Sequence, residues 1–113
     1  MVYSETLSQR VRVLLQNTNG IAEKRLFGGM GFLLRNNMAC GILNDDLIVR
    51  VGPKGYEEAL ALPRTRVFDI TGRIMKGWVM VPAQKLSDED LSTWVDRGLA
   101  FARSLPKKEI KDA

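Results

Sequence analysis

The sequence predicts an α+β fold: a helix, three antiparallel strands, a helix, two strands and a final helix. Three observations predict it. Apolar residues recur with helical spacing near both ends, over 4–15 and 87–102. Between Arg25 and Val51 three short apolar runs are separated by two tight polar breaks, the one-dimensional pattern of an antiparallel meander. No crossover helix fits between those runs, and parallel pairing would require one.

In the first segment Leu7, Val11, Leu14 and Leu15 share one helical face, with Ser4 placed as N-cap and Glu5 in the first turn. Asn17, Asn19 and Gly20 end it. The three strand-like runs follow as LFGGMGFLLR, MACGIL and LIVRV, broken by Asn36-Asn37 and by Asn44-Asp45-Asp46. Neither break carries the Asn-Gly pair that would specify the turn type. Gly52-Pro53 then opens a helix over Lys54–Leu62, with Tyr56, Ala59 and Leu60 inward and Glu57 and Glu58 outward, and Pro63 ends it. Two more strands, RVFDI and MKGWVMV, flank Thr71-Gly72-Arg73. The last helix begins at Ser87-Asp88-Glu89-Asp90, where Ser87 and Asp90 form a variant of the capping box and the acids favour the positive end of the helix dipole. Leu91, Trp94, Val95, Gly98, Leu99 and Ala102 make its packed face, and Asp96, Arg97 and Arg103 point outward.

At 113 residues and 12.7 kDa the chain is the size of one domain, and halves of it would be too small to bury a useful core. The expected ordered core is 4–105, with PKKEIKDA, 106–113, as a frayed polar tail. A composition of 45% hydrophobic and 27% charged residues belongs to a soluble globular protein. No apolar run approaches the roughly 20 residues that span a bilayer, and the N-terminus lacks the pattern of a signal peptide. Cys40, the single cysteine, lies among apolar neighbours and has no intrachain partner, which favours a reducing cytoplasmic location.

Chemistry-bearing residues are few. The chain has no histidine, the commonest general base near neutral pH and the commonest neutral metal ligand, and one cysteine makes no thiolate cluster. Asp45-Asp46 reads as turn chemistry, and Asp88, Glu89 and Asp90 read as capping. The glycine-rich stretch KRLFGGMGFLL fits neither the dinucleotide fingerprint nor the Walker loop in spacing, and it leads into a strand-like run instead of a helix. No cofactor or metal is expected. Read as a strand, the stretch puts Phe27, Gly29, Gly31 and Leu33 on one face and Gly28, Met30, Phe32 and Leu34 on the other. Two bare positions then leave a trough, for which an internal helix or the ring of Trp78 or Trp94 is the expected occupant, with strong twist or a bulge as the other reading.

The formal charge of +4 permits attraction to nucleic acid or to an acidic partner without requiring it. Lys24, Arg25, Arg50, Arg66, Arg73 and Lys76 are the candidate partner or anion surface, provided the strand ends bring them together; a scattered, solvated set is the alternative. Alternation places Ile48 and Arg50 opposite Leu47, Val49 and Val51, so Arg50 is expected either to face solvent or to pair with an acid such as Asp69.

Taken in order, KRLFGGMGFLL, MACGIL, DDLIVRVG, YEEAL, the TGR-x-MKGWVMV segment and DLSTWVDRGLAFA resemble the N-terminal domain of the TfoX/Sxy family over Ser4 to Ser104. The combination of the glycine stretch with Arg50, Tyr56, Gly72, Met75, Lys76, Gly77 and Trp78 carries the resemblance. It implies a fold similar to the secretion chaperones, in which Phe27, Gly28, Gly29, Gly31, Phe32, Gly72, Gly77, Trp78 and Trp94 serve fold geometry. The family's namesakes are bacterial regulators of DNA-uptake competence that assist a cyclic-AMP receptor regulator at promoters. They carry a second, helical C-terminal domain, so a chain ending at Ala113 is expected to be a stand-alone domain of the N-terminal type. No catalytic residues are implied. The expected function is a non-enzymatic regulatory or protein-binding module, with a second copy of the chain among its candidate partners. Nucleic-acid binding through a basic patch, directly or within a promoter complex, is the alternative.

Overall fold

The computed structural model describes residues 3–26, 28–70 and 72–106. Phe27, Thr71 and residues 107–113, which include all but the first residue of the expected frayed tail, lie outside the described residues.

Helix α1 (Glu5–Leu15) starts where Ser4, in extended backbone, accepts the Leu7 N–H on its hydroxyl at 3.1 Å, satisfying a first-turn donor. Strands β1 (Ile21–Leu26), β2 (Gly29–Leu34), β3 (Asn37–Leu43) and β4 (Asp46–Arg50) follow, then α2 (Gly52–Leu60), β5 (Arg66–Ile70), β6 (Arg73–Pro82) and α3 (Asp88–Ser104). They form a six-stranded antiparallel sheet in the order β1-β2-β3-β4-β6-β5. Among the described residues no helix is long and apolar enough to cross a membrane.

The α+β class and the antiparallel sheet are as expected, but the first block holds four strands where three were predicted. KRLFGGMGFLL is two strands and the turn between them: β1 ends at Leu26 and β2 starts at Gly29, with Gly28 at φ 79° in the turn. Lys24 and Arg25 therefore lie inside β1. Ala22 to Arg25 are all exposed, as suits a sheet edge, so IAEKRL shows none of the apolar alternation that marks a half-buried strand. The face assignment survives from Gly29 onward, since Met30, Phe32 and Leu34 all enter the core. The two following hairpins turn through positive φ at Arg35 (53°) and Asn36 (66°) and at Asn44 (55°), which places the first turn one residue earlier than expected and puts Asn37 in β3.

Helices α1 and α3 cover one face of the sheet. Leu7, Val11 and Leu15 from α1 meet Leu91, Val95 and Leu99 from α3 over Phe32, Cys40, Leu47 and Val79. Every residue assigned from spacing to the packed face of α3 is buried, and Ser87 caps that helix by accepting the Asp90 N–H at 3.0 Å. Arg10 fastens α1 to the loop before α3, donating to the Leu86 carbonyl at 2.6 Å and to Asp88 at 3.0 Å. Arg12 and Glu23 form a two-pronged pair at 2.9 Å that ties α1 to β1, and this carboxylate holds the guanidinium above its ordinary pKa. Both side chains are solvated, so the pair contributes orientation more than stability.

The sheet is irregular where α3 crosses it. Phe32 pairs with Cys40 but Leu33 pairs with Met38, which leaves Ala39 as an extra residue in β3. Its carbonyl lies directly against Cα of Gly98, and a Cβ there would collide with the Ala39 oxygen.

Candidate ligand-binding cleft

Among the described residues, the other face of the sheet carries no helix packed along it. Register aligns Lys24, Gly31, Gly41, Ile48, Met80 and Arg66 in one row across all six strands. Glycine at two successive positions of that row thins the middle of the sheet, and a cleft of about 730 Å³ lies over it, with Gly41 in its lining. One wall is aromatic: the rings of Phe68 and Trp78 are 6.2 Å apart and tilted by 51°. Ile48 and Phe68 are buried here, separately from the main core on the helical side. Met38 and Leu33 extend the apolar lining toward β2. Leu105 and Pro106, leaving α3, close one end, where the side-chain amide of Asn37 donates to the Pro106 carbonyl at 2.9 Å.

Among the described residues two cations line the cleft, Lys24 and Arg50, and no carboxylate does. Arg50 shares a register position with Trp78, and its guanidinium carbon sits 5.4 Å from the Trp78 ring centre and 5.3 Å from that of Phe101. Among the described residues it makes no ion pair and no hydrogen bond, so the pairing with Asp69 is not found, and the side chain is half-buried at the open cleft. Asp46, the acid on the same face of β4, is taken by Arg66 at 3.2 Å. Burial lowers the pKa of Arg50 from its ordinary value, yet a guanidinium remains charged at any physiological pH.

The clamp on Arg50 follows from two glycines. Gly52 (φ 80°) opens α2 with its Cα against the Phe101 ring, and Gly77 (φ 89°) brings β6 so close that its Cβ would lie 3.6 Å from the Gly52 Cα. The Val51 N–H donates to the Gly77 carbonyl at 2.8 Å across that contact. A side chain at position 52 would push Phe101 off the guanidinium, whereas at position 77 it is the positive φ that calls for glycine.

The structure thus brings Lys24 and Arg50 to one cleft and leaves the rest of the basic set apart. Arg66 lies at the far end of the same row, held by Asp46. Arg25 is exposed on β1, and Arg73 and Lys76 are exposed on β6, beyond Trp78. Of the residues read as serving fold geometry, Trp94 is buried under α3 on the helical face, Trp78 faces the cleft, and Gly72 lies in the β5–β6 turn at φ 81°. Neither tryptophan is the neighbour at Gly29. The Ile42 carbonyl crowds Gly29, and Gly31 faces Gly41. Valine at position 29 should therefore lower stability by about 1–3 kcal/mol through backbone overpacking, seen as a drop in thermal midpoint. An unchanged midpoint would refute that account.

Phe101, Leu105 and Pro106 escape a sequence reading of the site because they belong to another layer of the fold. Phe101 does stand three residues after Gly98 and seven after Trp94, which places it at the flank of the packed face of α3. Cys40 is fully enclosed, and burial pushes its thiol from 9.0 up to about 12. With the proton held more tightly in the folded state, Cys40 favours folding at pH values below 9 and loses that contribution as pH rises toward 12. The midpoint of Cys40→Ala should accordingly fall less steeply than that of the wild type in melts above pH 9; parallel slopes would show that the thiol is not buried in this way. Among the described residues no group of His, Cys, Asp and Glu is placed to hold a metal ion.

A family model described as the TfoX N-terminal domain matches residues 13–102. Neither the curated proteins nor the solved structures contain a significant match to the chain.

Proposed function

Because the chain belongs to the TfoX N-terminal domain family, we propose that it is a regulatory module that acts by binding, not catalysis, and that a protein partner engages the helix-free face of its sheet. The observation that carries this is the asymmetry of the sheet. One face is covered by α1 and α3, whereas the other keeps half-buried Leu33, Met38 and Trp78 around an open cleft. Apolar surface kept at a concave site without internal cover is what a partner surface requires. As a domain of the TfoX/Sxy type, the protein would act in transcription regulation within the cytoplasm.

The arrangement favours this over a nucleic-acid-binding patch. Arg66 is neutralised by Asp46, and Arg25 on β1 is separated by three strands from Arg73 and Lys76 on β6. A phosphate-binding surface needs several unpaired cations side by side, and its affinity falls steeply with salt. Fluorescence anisotropy with duplex and single-stranded probes in a salt series should show no salt-sensitive binding.

The test uses Leu33→Glu, which puts a charge on the open face at a half-buried position outside the main core. Light scattering and affinity capture are run on wild type and variant. The expected result is a defined partner, or a dimer, that is lost in the variant while its thermal midpoint stays within a few degrees of the wild type. Equal capture by both proteins, or a strict monomer with no reproducible partner, would overturn the reading.

A further inference from the structure

The cleft on the open face holds a cation without its counter-ion. Among the described residues Arg50 is half-buried, clamped between two rings and unpaired, and nothing acidic lines the space it faces. Desolvating a charge is unfavourable, and the faces of Trp78 and Phe101 offset part of that through their quadrupoles. An anion would supply the rest. The planar fork of a guanidinium matches a carboxylate in particular. Around it, the walls are nearly all apolar: Ile48, Phe68, Met75 and Trp78 on one side, Leu33 and Met38 on the other. A volume of about 730 Å³ falls in the range of small-ligand sites, which pair apolar walls with a few polar anchors.

We propose that this cleft binds an amphipathic organic carboxylate, with the carboxylate on Arg50 and the apolar body against the Phe68–Trp78 wall. The inference rests on the open face being the working surface and specifies the chemistry of a small molecule that enters it. The end of the Met38 side chain lies over Gly41, where an added Cβ would be 2.8 Å from it and 3.0 Å from the Met30 carbonyl oxygen, so Gly41 lets Met38 lie flat as part of the apolar lining. Lys24, at the β1 end of the row, adds positive potential without a buried contact.

Trp78 provides a reporter inside the cleft, and Trp94→Phe removes the other tryptophan, which lies on the opposite face. Decanoate, decanol and decylammonium are titrated into this single-tryptophan protein, with fluorescence as the readout. Decanoate should bind saturably and at least about tenfold more tightly than decanol, and decylammonium should not bind. Arg50→Met, an apolar replacement for a side chain with no polar partner to orphan, should abolish the preference of decanoate over decanol while leaving decanol binding in place. If Arg50→Met fails to fold, the comparison of the three ligands in the Arg50 protein decides alone. Equal binding of decanoate and decanol, or no binding of either, would overturn the proposal. The capture experiment with Leu33→Glu does not depend on any small ligand, so a negative titration leaves the reading of the open face standing, and a negative capture leaves the carboxylate site standing.

Discussion

Gly98→Ala should lower the thermal midpoint, although alanine is the better helix former. At a solvated position inside a helix this substitution stabilises by about 1 kcal/mol, because glycine has more backbone freedom to lose on folding. Gly98 is not such a position. Its Cα presses on the extra residue of β3, where an added Cβ would collide with the Ala39 carbonyl oxygen and lie 3.0 Å from the carbonyl carbon. The obstacle is backbone in a paired strand, which cannot swing aside as a side-chain end can. Relief requires α3 to lift, and lifting it loosens Trp94, Val95 and Leu99 together. Alanine should therefore destabilise by about 1–3 kcal/mol net, and valine, which would also crowd Val49, by more. For a domain of this size that corresponds to a fall of roughly 4 °C per kcal/mol. A midpoint for Gly98→Ala at or above the wild type would show that helix propensity wins and that the contact is slack.

Phe32→Ala should be the costliest truncation on the sheet. The ring is 1% exposed and lies in the layer shared by α1, α3 and the strands. Its removal should destabilise by about 3–5 kcal/mol, from lost burial and from the cavity left in a close-packed interior. Small domains have about 5–15 kcal/mol in all, so the variant will be marginal at physiological temperature. Leu33→Ala is the internal control: the next residue points to the open face and is half-buried, and it should lose less than half as much in the same urea titration. Equal losses at the two positions would contradict the assignment of faces along β2.

What was legible in the sequence was whatever local chemistry determines. Ser4 and Ser87 cap their helices because a hydroxyl before an apolar-periodic run finds the orphan N–H groups wherever the helix ends up. The packed face of α3 was legible because six residues at helical spacing have one common side. Strand β1 was not, because an edge strand with exposed, charged residues on both faces has no apolar period to read. The extra residue at Ala39 was also hidden. A bulge changes which residues face each other without altering composition, and it moved Met38 into line with Leu33. The cleft was legible in part. Arg50 and Lys24 were picked out as basic residues with a surface role, but the clamp on Arg50 depends on Phe101, from a helix that covers the opposite face, and on two glycines separated by α2 and β5. Such convergence is tertiary, and no single window of sequence contains it.

The order of the strands also bears on how the molecule assembles. Four of the five strand pairings join consecutive strands, and one, β4 to β6, does not. Strands β1 to β4 can zip up hairpin by hairpin, and so can β5 with β6, but the seam between these two blocks must close a loop containing α2 and β5, at an entropic cost that slows the step. Arg50 and Trp78 face each other across that seam. The carboxylate site therefore comes into being only when the seam closes, and a molecule bound there would act as a clasp on the last join of the fold, slowing its reopening in hydrogen exchange.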